Sequence, residues 1–178
     1  MNLVDVPTRD QVSPANQALF DTLHKGLGMV PNLYATLALS EHALGSYLAL
    51  QNARSSITGK AREVVNLVVS QVNACAYCLA AHTVVGGMLG LGPEQMLEIR
   101  RGGASFDPRL DALARLVKNI ATERGHADPE LVRAFFAAGW TPENLVDVIV
   151  VIGDKTVTNY LHGTTQVPVD FPAAPELA

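Results

Sequence analysis

Apolar residues recur at intervals of three and four along most of the chain, the spacing that lines up one face of an α-helix. Leu110, Leu113, Leu116, Val117 and Ile120 form one such stripe, and Leu131, Phe135 and Phe136 begin another. Proline follows a capping residue at Ser13-Pro14, Asp107-Pro108, Asp128-Pro129 and Thr141-Pro142. Proline at the first helical position gives up no needed N–H, so each pair marks a helix start. The pattern predicts helices near 14–26, 31–39, 41–55, 59–73, 75–90, 93–101, 108–124, 129–138 and 142–161. The ends, before about 13 and after about 163, read as extended arms that lie on the surface or reach a neighbouring subunit.

Two stretches complicate this pattern. "EVVNLVVSQV" and "LVDVIVVIG" are rich in β-branched residues and suit strands as well as helices. A strand followed by C-x-x-C and a helix would be a thioredoxin-like arrangement. No hairpin turn signals accompany them, however, and both lie in longer segments headed by capping residues. The expectation is therefore an all-α, compact multi-helix fold, with residues 1–178 forming one helical domain. The same stretches align as a faint internal repeat, Val64–Val68 over Leu145–Ile149. The cysteines then fall over Thr156 and Asn159, so only one copy can carry thiol chemistry.

Charge narrows the function. Charged residues are 17% of the 178, against about 25% in an average domain. A chain so short of charge is expected to hide further surface in a homo-oligomer. The formal net charge of −4 gives no basic footprint, which argues against nucleic acid. The opening "MNLVDVPTRD" carries charges where a secretory peptide needs an apolar core, and no apolar run approaches the roughly 18 residues of a membrane span. A cytoplasmic location without membrane attachment is expected. No phosphate-binding glycine motif is present, so no nucleotide cofactor is implied.

The chemistry concentrates in "SQVNACAYCLAAHTVVGG", which holds both cysteines, Cys75 and Cys78, and then His82. On a helix turning about 100° per residue, the three fall within an arc of roughly 60°. Spacing of i to i+3 suits a disulfide, and His82, one turn beyond Cys78, can serve its sulfur directly or through a water. A thiol must ionise to attack; a helix N-terminus and a histidine base both favour that. A second thiol then closes a disulfide before irreversible over-oxidation. Glu63 lies roughly 18 Å from Cys75 along one continuous helix, too far to take part. If the helix breaks near Asn73 and folds back, Glu63 approaches His82, and Glu63, His82 and Cys78 form a proton relay.

Glu63, eleven residues, C-x-x-C, three residues and histidine is a pattern that resembles the alkylhydroperoxidase AhpD-like branch of the carboxymuconolactone decarboxylase family. "ITGKAREVVNLVVSQVNACAYCLAAHT" carries it, and "GMVPNLYATLALSEHALGSYLAL" and "TNYLHGTTQVPVDFP" look like the peroxidase-related members. The likeness spans about residues 25 to 171 and is strongest over 57 to 83. It implies an all-helical subunit in a dimer, trimer or hexamer. It also implies reduction of a hydroperoxide, with Cys78 attacking, Cys75 resolving and an external thiol or dithiol as electron donor. The best-known branch has a histidine between the cysteines. Tyr77 stands there in this chain, a candidate relay or pocket residue, and the electron donor is left open. The decarboxylase branch lacks the cysteine pair, which argues against lactone decarboxylation.

Plainer readings stand beside these. A zinc site needs about four ligands, and Cys75, Cys78 and His82 supply three, so no metal is expected. Buried thiols can be inert. Glu63 alone would suit the first turn of a helix. Asn159, Tyr160 and His162 suit a helix cap or an inter-subunit contact, and Trp140 a hydrophobic staple. Met88, Leu89 and Leu91 read as core, or as the lining of a peroxide channel. Two other functions remain open at this point: a redox-sensing helical oligomer without turnover, and a disulfide reductase serving a protein partner.

Overall fold

The computed structural model describes residues 3–177. Within them lie nine α-helices and no strand: α1 Pro14–Leu27, α2 Asn32–Leu37, α3 Ala43–Gln51, α4 Gly59–Val72, α5 Ala76–Met88, α6 Pro93–Arg101, α7 Pro108–Thr122, α8 Pro129–Ala137 and α9 Pro142–Thr165. A 3-10 turn, Arg9–Gln11, precedes α1. Of the five proline starts, the four that follow Ser, Asp or Thr carry a side-chain cap, and α6, after Gly92, does not. Ser13 accepts from the Asn16 amide, Asp107 from Arg109 and Leu110, Asp128 from Glu130, and Thr141 from Asn144.

Helix α4 is the axis of the molecule. It packs against α5, α6, α7 and α9, and every residue from Glu63 to Ser70 is buried. A helix covered on all sides must be apolar on nearly all sides. That is why this stretch looks like a strand in composition: its valines record burial, not pairing. Val64, Val65, Leu67, Val68 and Val69 meet Leu113, Leu116 and Val117 of α7, Ile99 of α6, Phe135 of α8 and Val148 and Val151 of α9. Trp140, ahead of α9, stacks on Phe135 at 5.5 Å, and its indole N–H donates to the Arg109 carbonyl at 2.9 Å. A second cluster joins α1 to α3 through Phe20, Leu44 and Tyr47. Between the two sits a small third cluster: Leu33, Cys75, Tyr77, Cys78 and Val167.

Helix α9 runs on to Thr165, beyond the expected 161, and the C-terminal arm then follows without helix or strand across its own chain. Val167 is buried, and Phe171 packs edge-on against Tyr77. The Asp170 carboxylate accepts from the Tyr77 hydroxyl at 2.5 Å and from the Asn32 amide at 2.7 Å. The Arg100 guanidinium donates to the Pro175 carbonyl. At the other end the Leu3 amide donates to the Thr165 carbonyl. Each arm therefore uses backbone or side-chain hydrogen bonds to its own helices. The internal repeat also resolves: α9 is one unbroken helix where the first copy divides into α4 and α5.

That division needs a residue in the left-handed region. Ala74, exposed, takes φ of 50°. A residue with a Cβ strains there and glycine does not. Ala74→Gly is therefore expected to raise stability by about 0.5–1 kcal/mol and Ala74→Val to lower it by more than about 1 kcal/mol, read by urea unfolding.

Candidate active site

The site begins with how α4 ends. The Asn73 amide donates to Val69, Ala74 to Gln71, and Cys75 to Ser70 at 2.9 Å, so the last carbonyls of α4 are satisfied while the chain reverses. Cys75 is the N-cap of α5, and its sulfur accepts from the Cys78 amide at 3.3 Å. Cys78 thus lies in the first turn of α5, at the positive end of that helix.

Because α5 runs back alongside α4, Glu63 and His82 meet. Glu63 Oε2 lies 2.8 Å from His82 Nδ1, and Asn66 Nδ2 donates to Glu63 Oε1 at 2.7 Å. A carboxylate can only accept, so Nδ1 carries the hydrogen and Nε2 presents a lone pair. The predicted carboxylate–imidazole link is present. The direct link from His82 to Cys78 is not: no hydrogen bond joins them, although both line the same cavity one helical turn apart. A proton passes between them only through an intervening donor and acceptor such as water.

Burial opposes the Glu63 charge, but His82, Asn66 and the positive charge of Lys155 outweigh it and hold the carboxyl below its ordinary value. Burial, with Lys155 adding to it, holds His82 below its ordinary value against the pull of Glu63. At neutral pH the pair is then carboxylate and neutral imidazole, able to take a proton. The two thiols separate in the same way. The Cys75 thiol, foremost, then Lys155, Asn159 and Thr158 favour the Cys78 anion against its burial and bring it down to about 7. Cys75 moves far upward, chiefly because it gives its hydrogen to Cys78 and is itself buried. One sulfur is set to ionise and the other to stay protonated beside it.

These groups form the floor of a cavity of about 510 Å³. Cys78, Glu63, His82, Asn66, Lys155 and Thr158 line it; Cys75 does not. Its walls are apolar and aromatic, from Leu33, Tyr34, Tyr47, Val85 and Phe171. Of the three residues read as core or channel lining, Met88 is 82% exposed and lines the cavity, Leu89 is 40% exposed, and Leu91 is buried. Tyr77 lines the cavity, but its hydroxyl is committed to Asp170 and to the Leu33 amide at 3.3 Å, which makes it a wall and a latch for the arm. Among the described residues no group of three or more His, Cys, Asp and Glu is arranged to hold a metal ion.

Helix α9 supplies what the sequence reading did not find. Lys155, Thr158 and Asn159 are all buried beside the cysteines. Asn159, read as a cap or inter-subunit contact, instead accepts from Asn73 Nδ2 at 2.9 Å and donates to Ser70 Oγ at 3.3 Å, tying α9 to the reversal between α4 and α5. His162 is buried against the Tyr77 ring, with centroids 5.4 Å apart, while Tyr160 is exposed. The available signal was "VIVVIGDKTVTNY": two adjacent charges midway along an apolar helix have to be buried, and buried charges point to a site.

No curated protein matches the sequence. Residues 40–119 match the carboxymuconolactone decarboxylase family, a span that holds Glu63, Cys75, Cys78 and His82. Among solved structures, the chain is similar to an uncharacterized peroxidase-related protein with an alkylhydroperoxidase AhpD core from Ralstonia eutropha JMP134, at 18% identity and TM-score 0.84, covering 95% of this chain and 92% of that one. It is similar to a peroxidase-related protein from Silicibacter sp. TM1040 at 23% identity and TM-score 0.81, over 99% and 93%. It is also similar to the debrominase Bmp8, in complex with 2,3,4-tribromopyrrole, at 12% identity and TM-score 0.77, over 96% and 92%. The segment that carries the cysteine pair is thus similar to the carboxymuconolactone decarboxylase family, and the chain has the AhpD-like fold.

Proposed function

We propose that the protein is a thiol-dependent peroxidase that reduces an organic hydroperoxide through Cys78 and Cys75. The observation that carries this reading is the asymmetry of the two sulfurs. Cys78 faces an apolar cavity and ionises at about 7, while Cys75 stands behind it, out of the cavity and protonated. The Cys78 thiolate attacks the distal oxygen of ROOH and the O–O bond breaks. The departing RO⁻ takes up the proton that the thiol had released to the Glu63–His82 pair and leaves as the alcohol. Cys78 is now a sulfenic acid. The Cys75 sulfur attacks it, water leaves, and a Cys75–Cys78 disulfide remains. An external thiol or dithiol returns two electrons and two protons.

The alternatives fit less well. Both cysteines are 2% exposed, so a folded protein disulfide cannot reach them, whereas a small hydroperoxide can enter the cavity. A sensing role without turnover would not call for a 510 Å³ cavity with aromatic walls. A second reading does draw support from those walls and from the likeness to a debrominase: the same thiolate would take a halogen from a planar aryl halide, the ring would gain a proton, and the Cys75 sulfur would then displace halide ion from Cys78 to form the same disulfide.

Intact mass before and after one equivalent of cumene hydroperoxide tests the first reading. Wild type should lose two hydrogens and consume the peroxide within seconds; Cys78→Ser should do neither. Hydrogen peroxide should react more slowly, since it leaves the apolar walls unfilled. Wild type that ignores both peroxides but debrominates a bromopyrrole would move the assignment to the second reading.

The pH dependence follows from the sign of the shift. The Cys78 thiolate is present above about 7 and is lost as pH falls through that value. The iodoacetamide alkylation rate at Cys78 should therefore rise about tenfold per pH unit below 7 and flatten above it, rather than rising on through about 8.5 as for an ordinary cysteine. Cys75→Ala removes the thiol that donates to Cys78 and should move this midpoint upward.

A further inference from the structure

Lys155 is a cationic side chain among the residues that line the cavity. It is 3% exposed, midway along α9, and lines the cavity floor with Cys78. Its neighbour Asp154 is paired with Arg62 at 3.2 Å. The Lys155 ammonium has no such partner: among the described residues it makes no hydrogen bond and no ion pair. The side chain is buried, yet its nitrogen is not among the buried atoms that lack a partner, so its charge is turned to the cavity that the residue lines. A cation held in a cleft beside a nucleophile marks a functional group. The floor therefore offers a free donor beside a nucleophilic sulfur. The inner oxygen of a hydroperoxide, which accepts, is complementary to it.

We propose that Lys155 is the cation of this site, stabilising negative charge first on the Cys78 sulfur and then on the oxygen that leaves. The second half rests on the peroxidase reading above; the first does not. In the reaction the charge moves from S⁻ to RO⁻ as the S–O bond forms and the O–O bond breaks. A cation lining the same floor serves both ends of that movement. Lys155 keeps its three hydrogens throughout; the proton that completes ROH is the one released by Cys78 to the Glu63–His82 pair. The other groups facing Cys78 leave this role open. Glu63 on α4 is negative, and Arg62 is spent on Asp154 of α9. His82 on α5 is held neutral, partly by Lys155 itself. Cys75 stays protonated, and Tyr34 and Tyr47 on the α2–α3 side donate or accept without charge at neutral pH.

Lys155→Met and Lys155→Arg test this in the reduced full-length protein, with melting curves as the check on folding. The first readout needs no peroxide: thiolate absorbance at about 240 nm against pH. Lys155→Met should shift the midpoint from about 7 toward the 8.5 or so of an ordinary cysteine, cutting the Cys78 alkylation rate at pH 6 about tenfold; Lys155→Arg should restore most of it. An unmoved midpoint in folded Lys155→Met overturns the thiolate role. The second readout is kcat/KM for cumene hydroperoxide at about pH 9, where the thiol ionises unaided. A loss of about tenfold or more that persists there supports the leaving-oxygen role, and a loss that vanishes overturns it. If Lys155→Met does not fold, the wild-type Lys155 side-chain nitrogen signal decides: it should shift as pH crosses the Cys78 midpoint, and a flat trace overturns the proposal. A protein that consumes no peroxide yet shows the midpoint shift refutes the peroxidase reading alone.

Discussion

Everything chemical in this protein depends on a chain reversal two residues long. Asn73 and Ala74 end α4 and turn the backbone so that α5 lies antiparallel to it. On a continuous helix Glu63 and His82 would be roughly 28 Å apart, nineteen residues at about 1.5 Å each. The reversal brings them to 2.8 Å. It also frees the Cys78 amide to bond the Cys75 sulfur and sets both thiols at the start of a new helix. The turn is held from outside by α9, through Asn159 to Asn73 and Ser70. An alanine in a left-handed conformation is tolerated because these bonds determine the turn around it.

The second constraint is the burial of charge. Glu63, Asp154 and Lys155 are each under 5% exposed, Glu63 on α4 and the other two on α9. Arg62 answers Asp154, and Asn66 and His82 answer Glu63. In such surroundings small differences in hydrogen bonding separate groups that would titrate alike in water. Two cysteines three residues apart are shifted in opposite directions, Cys78 down and Cys75 up.

Much of this was legible in the amino-acid order, and the exceptions are instructive. The helix starts were written in Ser13, Asp107, Asp128 and Thr141 with their prolines, because capping is a local interaction. The fold-back could be inferred from Glu63 and His82, whose spacing makes sense only if the helix breaks. Lys155, Thr158 and Asn159 were not found, because their relation to the cysteines is long-range and no periodicity marks it. Met88 reads as core or as a channel lining, and it lies at the cavity rim; an apolar residue next to an opening satisfies the same pattern as one next to another helix. The C-terminal arm reads as an extended, surface-lying segment because it lacks helix signals, but what fastens it does not show in the sequence. Asp170 fastens it through one hydroxyl and one amide, contacts that no local pattern announces.

The sulfur of Cys75 serves the fold as well as any chemistry. It accepts the Cys78 amide at the head of α5 and so stands as the N-cap of that helix. An N-cap of the stronger oxygen type is worth about 1 kcal/mol, and a sulfur less. Serine at this position would keep an acceptor there and alanine would remove it, so the pair of substitutions separates what Cys75 does for the helix start from what its sulfur does for reactivity.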